Sequence, residues 1–153
     1  MLSNIIIVLL SFLASLGFSI VFQMERRHLL FAGLGGAVTR IVYLTLLAVT
    51  GQRAVYMVFA AIAAAVYAEF MADRMHTPST TFLYPSIIPL IPGDLVYNAI
   101  VGLVLMDWEQ LRINGVALII ALFWMCVGFV LTSTITHYVR RNRMVRKFMH
   151  KIR

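Results

Sequence analysis

The sequence predicts an all-α integral membrane protein of about five transmembrane helices, the fourth of them broken. Three observations carry that expectation. Hydrophobic residues make up 61% of the chain and charged residues only 12%, whereas a soluble domain carries about 25% charged residues. The mean hydropathy is +0.90. The apolar residues fall into long runs, and nearly all the cations collect in the short stretches between them and in the tail after the last.

Residues 2–22 form the first run, without a charge. As a helix it measures about 31 Å, which matches a hydrocarbon core of about 30 Å. The opening "MLSN" supplies no positive n-region, so a span is expected here and not a secretory signal. Asn4, Ser11, Ser15 and Ser19 share one face of it. Small polar residues at such spacing form a close helix-packing seam or line a pathway.

The second run covers about 29–50. Gly33, Gly36 and Arg40 share a face there, with Gly35 beside them. Arg40 sits near the bilayer centre, at a cost of about 2.5–3.5 kcal/mol on insertion scales. Such a charge calls for a partner or a wet cavity; the alternatives are a structural salt bridge, or a span whose true limits place Arg40 closer to water. The third run, about 54–72, is rich in alanine and suits close packing. Glu69 and Asp73 lie at i and i+4 on its end. They are read either as an ion-coupling pair or as interfacial residues near Arg74 and His76.

The fourth run, about 81–106, is the interrupted one, and the fifth covers about 115–138. The tail, 140–153, places Met144, Phe148 and Ile152 with Val145 and Met149 on one stripe, and Arg143, Lys147 and Lys151 on another. That is the pattern of a basic amphipathic helix on anionic lipid. The same residues also fix topology. With the C-terminus in the cytoplasm, the inner segments hold Arg26, Arg27, Arg74 and the tail cations, whereas the outer ones hold only Arg53 and Arg112. This follows the positive-inside rule and places the N-terminus outside. The net charge of +7 is thus a topology signal and not a nucleic-acid footprint.

Enzyme chemistry finds little support. Cys126 is the only cysteine, and His28, His76, His137 and His150 are scattered at segment ends. No zinc spacing, phosphate loop or nucleophile elbow is present. The sequence therefore implies no metal, no cofactor and no catalytic residue.

The broken run, "FLYPSIIPLIPGDLVYNAIVGLVL", holds the candidate site. Pro85, Pro89 and Pro92 each remove a backbone donor, and Gly93 follows. Freed carbonyls at membrane depth are tolerated only inside protein or beside a water-filled cavity. Asp94 is a favoured N-cap residue, and a half-helix carrying Tyr97 and Asn98 restarts there. Its N-terminus would offer N–H groups and a positive dipole end to an anion, and the freed carbonyls would suit a cation. Discontinuous helices of this kind mark the binding sites of secondary transporters. Arg40 is expected at similar depth, and Asp94 is read as its partner or as a simple cap.

"TPSTTFLYPSIIPLIPGDLVY" resembles the signature of the threonine/serine exporter family in its membrane-embedded C-terminal half, through Pro78, Pro85, Pro89, Leu90, Pro92, Gly93 and Tyr97. "FSIVFQMERRHLLFAGLGGAVTRIVYL" is similar to the family's turn from first to second span. Arg40 and Asp94 are charges outside that pattern. The resemblance implies a small, separate second subunit of about five spans in a bacterial inner membrane, partnered by a large subunit that carries the N-terminal half. It implies efflux of threonine and serine, or of succinate in one branch. A membrane scaffold that places its partner without transporting is the alternative of another class.

Overall fold

The computed structural model describes the backbone of residues 2–151 and the side chains of 2–136, 138 and 139. Six α-helices follow in chain order: α1 (Leu2–Val21), α2 (Arg26–Thr50), α3 (Arg53–Met75), α4 (Thr80–Ile87), α5 (Gly93–Val104) and α6 (Trp108–Lys151). A short 3₁₀ turn, Ile88–Leu90, continues α4. The side chains of the basic tail expected over 140–153 lie outside the described residues.

The chain is an all-α integral membrane protein. α1, α2, α3 and the Trp108–Thr136 part of α6 are each long and apolar enough to cross a membrane. α4 with its 3₁₀ turn and α5 pass that test together as a pair bent by 60°, so the spans number four, or five with the pair taken as one. The side chains facing outward are large and apolar, among them Leu9, Leu13, Phe59, Phe70, Ile119 and Phe123. The buried ones are mostly small. In water this would be inverted; in lipid it is expected, because helices associate there through close packing and not by hiding apolar surface.

α3 packs against α2, α4 and α6. Its alanines at 60, 61, 64, 65, 68 and 72 are all buried, which lets three neighbours approach one helix. Glycines set the closest approaches. A Cβ at Gly128 of α6 would come within 2.6 Å of the Val58 carbonyl of α3. One at Gly36 of α2 would strike the Ser15 hydroxyl of α1. Ser11, Ser15 and Ser19 are buried on that face, so the serine stripe of the first span is a packing seam against α2, while Asn4 is exposed.

The turns have a common device. Gln23, His76 and Met106 each have φ of 54°, and Gly51 has φ of 62°. Four of the five connections thus use one left-handed residue, and at Gly51 and His76 its N–H caps a carbonyl of the preceding helix, Leu47 and Ala72. The fifth connection, α4 to α5, uses prolines. α6 is capped at its start by the Asp107 carboxylate, which accepts the Gln110 N–H at 3.0 Å.

The break is placed more narrowly than the proline spacing suggests. α4 runs straight through Pro85, which is buried within it. Regular helix gives way to the 3₁₀ turn around Pro89 and stops at Ile91 and Pro92. Asp94 is not the N-cap of α5. Pro92 holds that position, and its carbonyl accepts the N–H groups of Leu95 and Val96. Asp94 follows in the first turn, where a carboxylate still favours the positive end of the dipole.

Candidate functional site: a cavity at the break

The interruption opens a cavity of about 390 Å³ between α2, the start of α3 and the break. Arg40 and Tyr43 line it from α2, Met57 from α3, and Pro89 through Asp94 from the break itself. Arg40 lies fourteen residues from the start of α2 and ten from its end, about 21 Å and 15 Å along the axis. The charge is therefore well inside the membrane-spanning part.

Three observations describe how Arg40 is held. Its Nη1 donates to the Pro89 carbonyl at 3.2 Å. Its guanidinium carbon sits 4.7 Å from the centroid of the Tyr43 ring, a cation–π contact of the kind that gains strength away from water. Tyr43 is braced in turn by an edge contact with Tyr56, 4.7 Å between centroids. The Nε is buried and has no hydrogen-bond partner. A guanidinium carries five donors in a planar fork suited to carboxylate. One is used on a carbonyl freed by the break, and one is left buried and unused.

Asp94 lines the same cavity from α5 and is exposed. Arg40 and Asp94 share the cavity without an ion pair between them. A cation on one wall and an anion on another can hold a molecule that bears both charges.

Other expectations are placed differently. The carbonyl freed at Pro89 does meet a cation, but the cation is the chain's own Arg40. The start of α5 is not a ring of open donors, because the N–H groups of Gly93, Leu95 and Val96 are bonded to the Ile91 and Pro92 carbonyls. Its attraction for an anion therefore comes from the dipole and from Arg40. Pro85 is buried within α4 and lies outside the cavity lining. Tyr97 points away from the bundle at 68% exposure, and neither it nor the half-buried Asn98 lines the cavity. Tyr43 and Met57 were missed by sequence reasoning. Tyr43 had a signal, since residues three apart share a helix face; Met57 had none.

Glu69 lies elsewhere, on a cavity of about 310 Å³ between α3, α4 and α6, beside Ser79, Thr80, Thr132 and Ser133. Asp73 is exposed and does not line it. A third cavity, of about 560 Å³, lies at the end of the bundle where the α1–α2 and α3–α4 turns meet. His28 and Thr77 line it, and neither was singled out by the sequence as a site residue.

Comparison with curated proteins and with solved structures returns no match. The sequence model of the family described as Threonine/Serine exporter, ThrE, matches residues 7–135. That stretch includes α1 from its second turn, both walls of the Arg40 cavity and nearly all of the α6 span. With its several apolar helices and a match over most of its length, this chain belongs to the threonine/serine exporter family, whose members are transporters.

Proposed function

We propose that this chain is the small membrane subunit of a two-component secondary exporter whose cargo is threonine and serine. The observation that carries the reading is Arg40, a guanidinium held at the broken span with one buried donor unused. Burying an unsatisfied charged donor is costly, by about 1–3 kcal/mol or more. A cargo carboxylate in the cavity offsets that cost by completing the fork. Asp94, exposed on the facing element, then receives the cargo ammonium. A dicarboxylate such as succinate gains from Arg40 but meets repulsion at Asp94.

The membrane is a bacterial inner membrane, with the N-terminus outside and the C-terminus cytoplasmic, which the charge asymmetry of the connecting segments supports. The partner is a large subunit carrying the N-terminal half of the family. Coupling to an ion gradient falls to Glu69, whose cavity also gathers the hydroxyls of Ser79, Thr80, Thr132 and Ser133. Asp73, one turn further on, is the second acid of that region.

The test is export of labelled threonine and succinate from cells that produce both chains, with each chain alone and Arg40→Gln beside them at matched membrane levels. Threonine loss should need both chains and fall in the variant. Succinate loss in place of threonine would reassign the cargo. Normal loss of threonine in Arg40→Gln would remove the cavity from the mechanism. A complex that assembles yet exports neither compound would favour the scaffold.

A further inference from the structure

We infer that the cavity at the meeting of the α1–α2 and α3–α4 turns is a second binding site, built to hold the carboxylate of a small metabolite at the mouth of the bundle. Two helices begin at this cavity. Glu25 and His28 line it from the start of α2, Thr77 from the α3–α4 turn, and Thr80 and Thr81 from the start of α4. Neither helix start has a side-chain cap hydrogen bond. The positive ends of both dipoles adjoin one space of about 560 Å³. The N–H groups of His28, Thr81, Phe82 and Leu83 are bonded to the Glu25, Pro78 and Ser79 carbonyls, so the attraction of these ends for an anion is that of the dipoles alone.

The second observation is independent of the helix ends. His28 is 2% exposed, and its Nε2 is buried without a hydrogen-bond partner. The Thr77 Oγ1 is in the same condition. Buried polar atoms are rarely left without partners, and here two of them belong to residues, distant in sequence, that line one cavity. Phe82 holds the imidazole in place by an edge contact, 5.6 Å between centroids. An imidazole N–H and a hydroxyl can both donate to an oxyanion.

The local charge agrees with that ligand. Glu25 is the one acid on the lining, and the Arg27 Nε holds its carboxylate at 2.5 Å. Arg26 adds a further positive charge beside it. His28 and Arg40 lie twelve residues apart on one helix, about 18 Å. A carboxylate captured at His28 thus stands near one end of α2, with the Arg40 cavity further along that helix and about a third of a turn around it. The identification of the ligand with the exported metabolite rests on the export reading; capture of a small oxyanion does not. A lipid headgroup phosphate shares the chemistry, so the experiment separates the two sources.

The test is the imidazole nitrogen spectrum of the full chain, labelled with ¹⁵N-histidine, in phosphatidylcholine nanodiscs. Loss of a signal in His28→Asn assigns His28. Threonine and succinate should each move that signal and saturate, with affinity on the order of millimolar. Threoninol, which keeps the amine and hydroxyl but lacks the carboxylate, should leave it in place. Thr77→Val should weaken the response about 10- to 100-fold, the worth of one hydrogen bond to a charged group. Arg40→Gln should leave it intact, so failure of the export reading and failure of this site are separately visible. A silent His28, an equal response to threoninol, or a response that follows phosphatidylglycerol content while threonine is inert would each overturn the inference.

Discussion

The two halves of the broken span are surrounded very differently. α4 and its 3₁₀ turn are wrapped by α1, α2 and α3, with Phe82, Pro85, Ser86 and Leu90 fully buried. α5 lies along α6 alone among the helices, and its Leu95 shares a buried cluster with Tyr56 and Met57 of α3 and Ala121 of α6. Its Tyr97, Ile100, Leu103 and Val104 face outward. One half of the span is fixed in the bundle and the other is attached along one side. The Arg40 cavity lies at the join, with Arg40 on the fixed body and Asp94 on the lightly attached half. A change in the angle at Ile91 and Pro92 would move one charge relative to the other without repacking the body.

The strongest way to break this contrast is to overfill the fixed half. Any Cβ at Gly35 would strike the Ser86 hydroxyl and come within 2.8 Å of the Tyr67 ring, whose hydroxyl is tied to the Phe31 carbonyl at 2.6 Å. Gly35→Val should destabilise the protein by about 1–3 kcal/mol. Thermal unfolding in detergent and the amount recovered from membranes would check it. Next comes the charge at the join. Arg40→Gln should lower threonine export about 10- to 100-fold at normal folding, because a hydrogen bond to a charged group is worth about 1.5–3 kcal/mol. Asp94→Asn should leave the fold nearly unchanged and raise succinate export relative to threonine, since the repulsion of a second carboxylate is removed. A parallel loss of both cargoes would instead make Asp94 part of the scaffold of α5.

The smallest effects belong to the lightly attached half. Met106 is left-handed in the α5–α6 turn, and Met106→Gly should stabilise by less than about 1 kcal/mol, seen as a small rise in unfolding temperature. Ile100→Ala, on the outward face of α5, should change stability less than any of these.

The fold was legible because lipid imposes a simple code. A helix must satisfy its own backbone, so long apolar runs name the spans directly, and the serine and glycine positions show which faces meet. The broken fourth span was legible for the same reason. Its exact break was not: Pro85 sits in regular helix, and Pro92 displaces Asp94 from the cap, because the packing of α1, α2 and α3 around α4 decides where the chain bends. Arg40 was legible as an anomaly of depth. His28 and Thr77 were not, since 49 positions separate them and only the docking of two turns brings them to one cavity.

The most direct measurement of the central claim uses Gly93 on the wall of the Arg40 cavity. A Cβ there meets nothing within 4 Å, so Gly93→Cys adds a thiol without disturbing the site. Cys126 is exposed on α6 and is replaced by serine. The rate at which a small thiol reagent modifies position 93 is then followed in membranes holding both subunits. Threonine and serine should slow the reaction in a saturable way, and Arg40→Gln should abolish the protection. An unchanged rate at saturating threonine, serine and succinate would contradict that claim and take the cargo site away from the broken span.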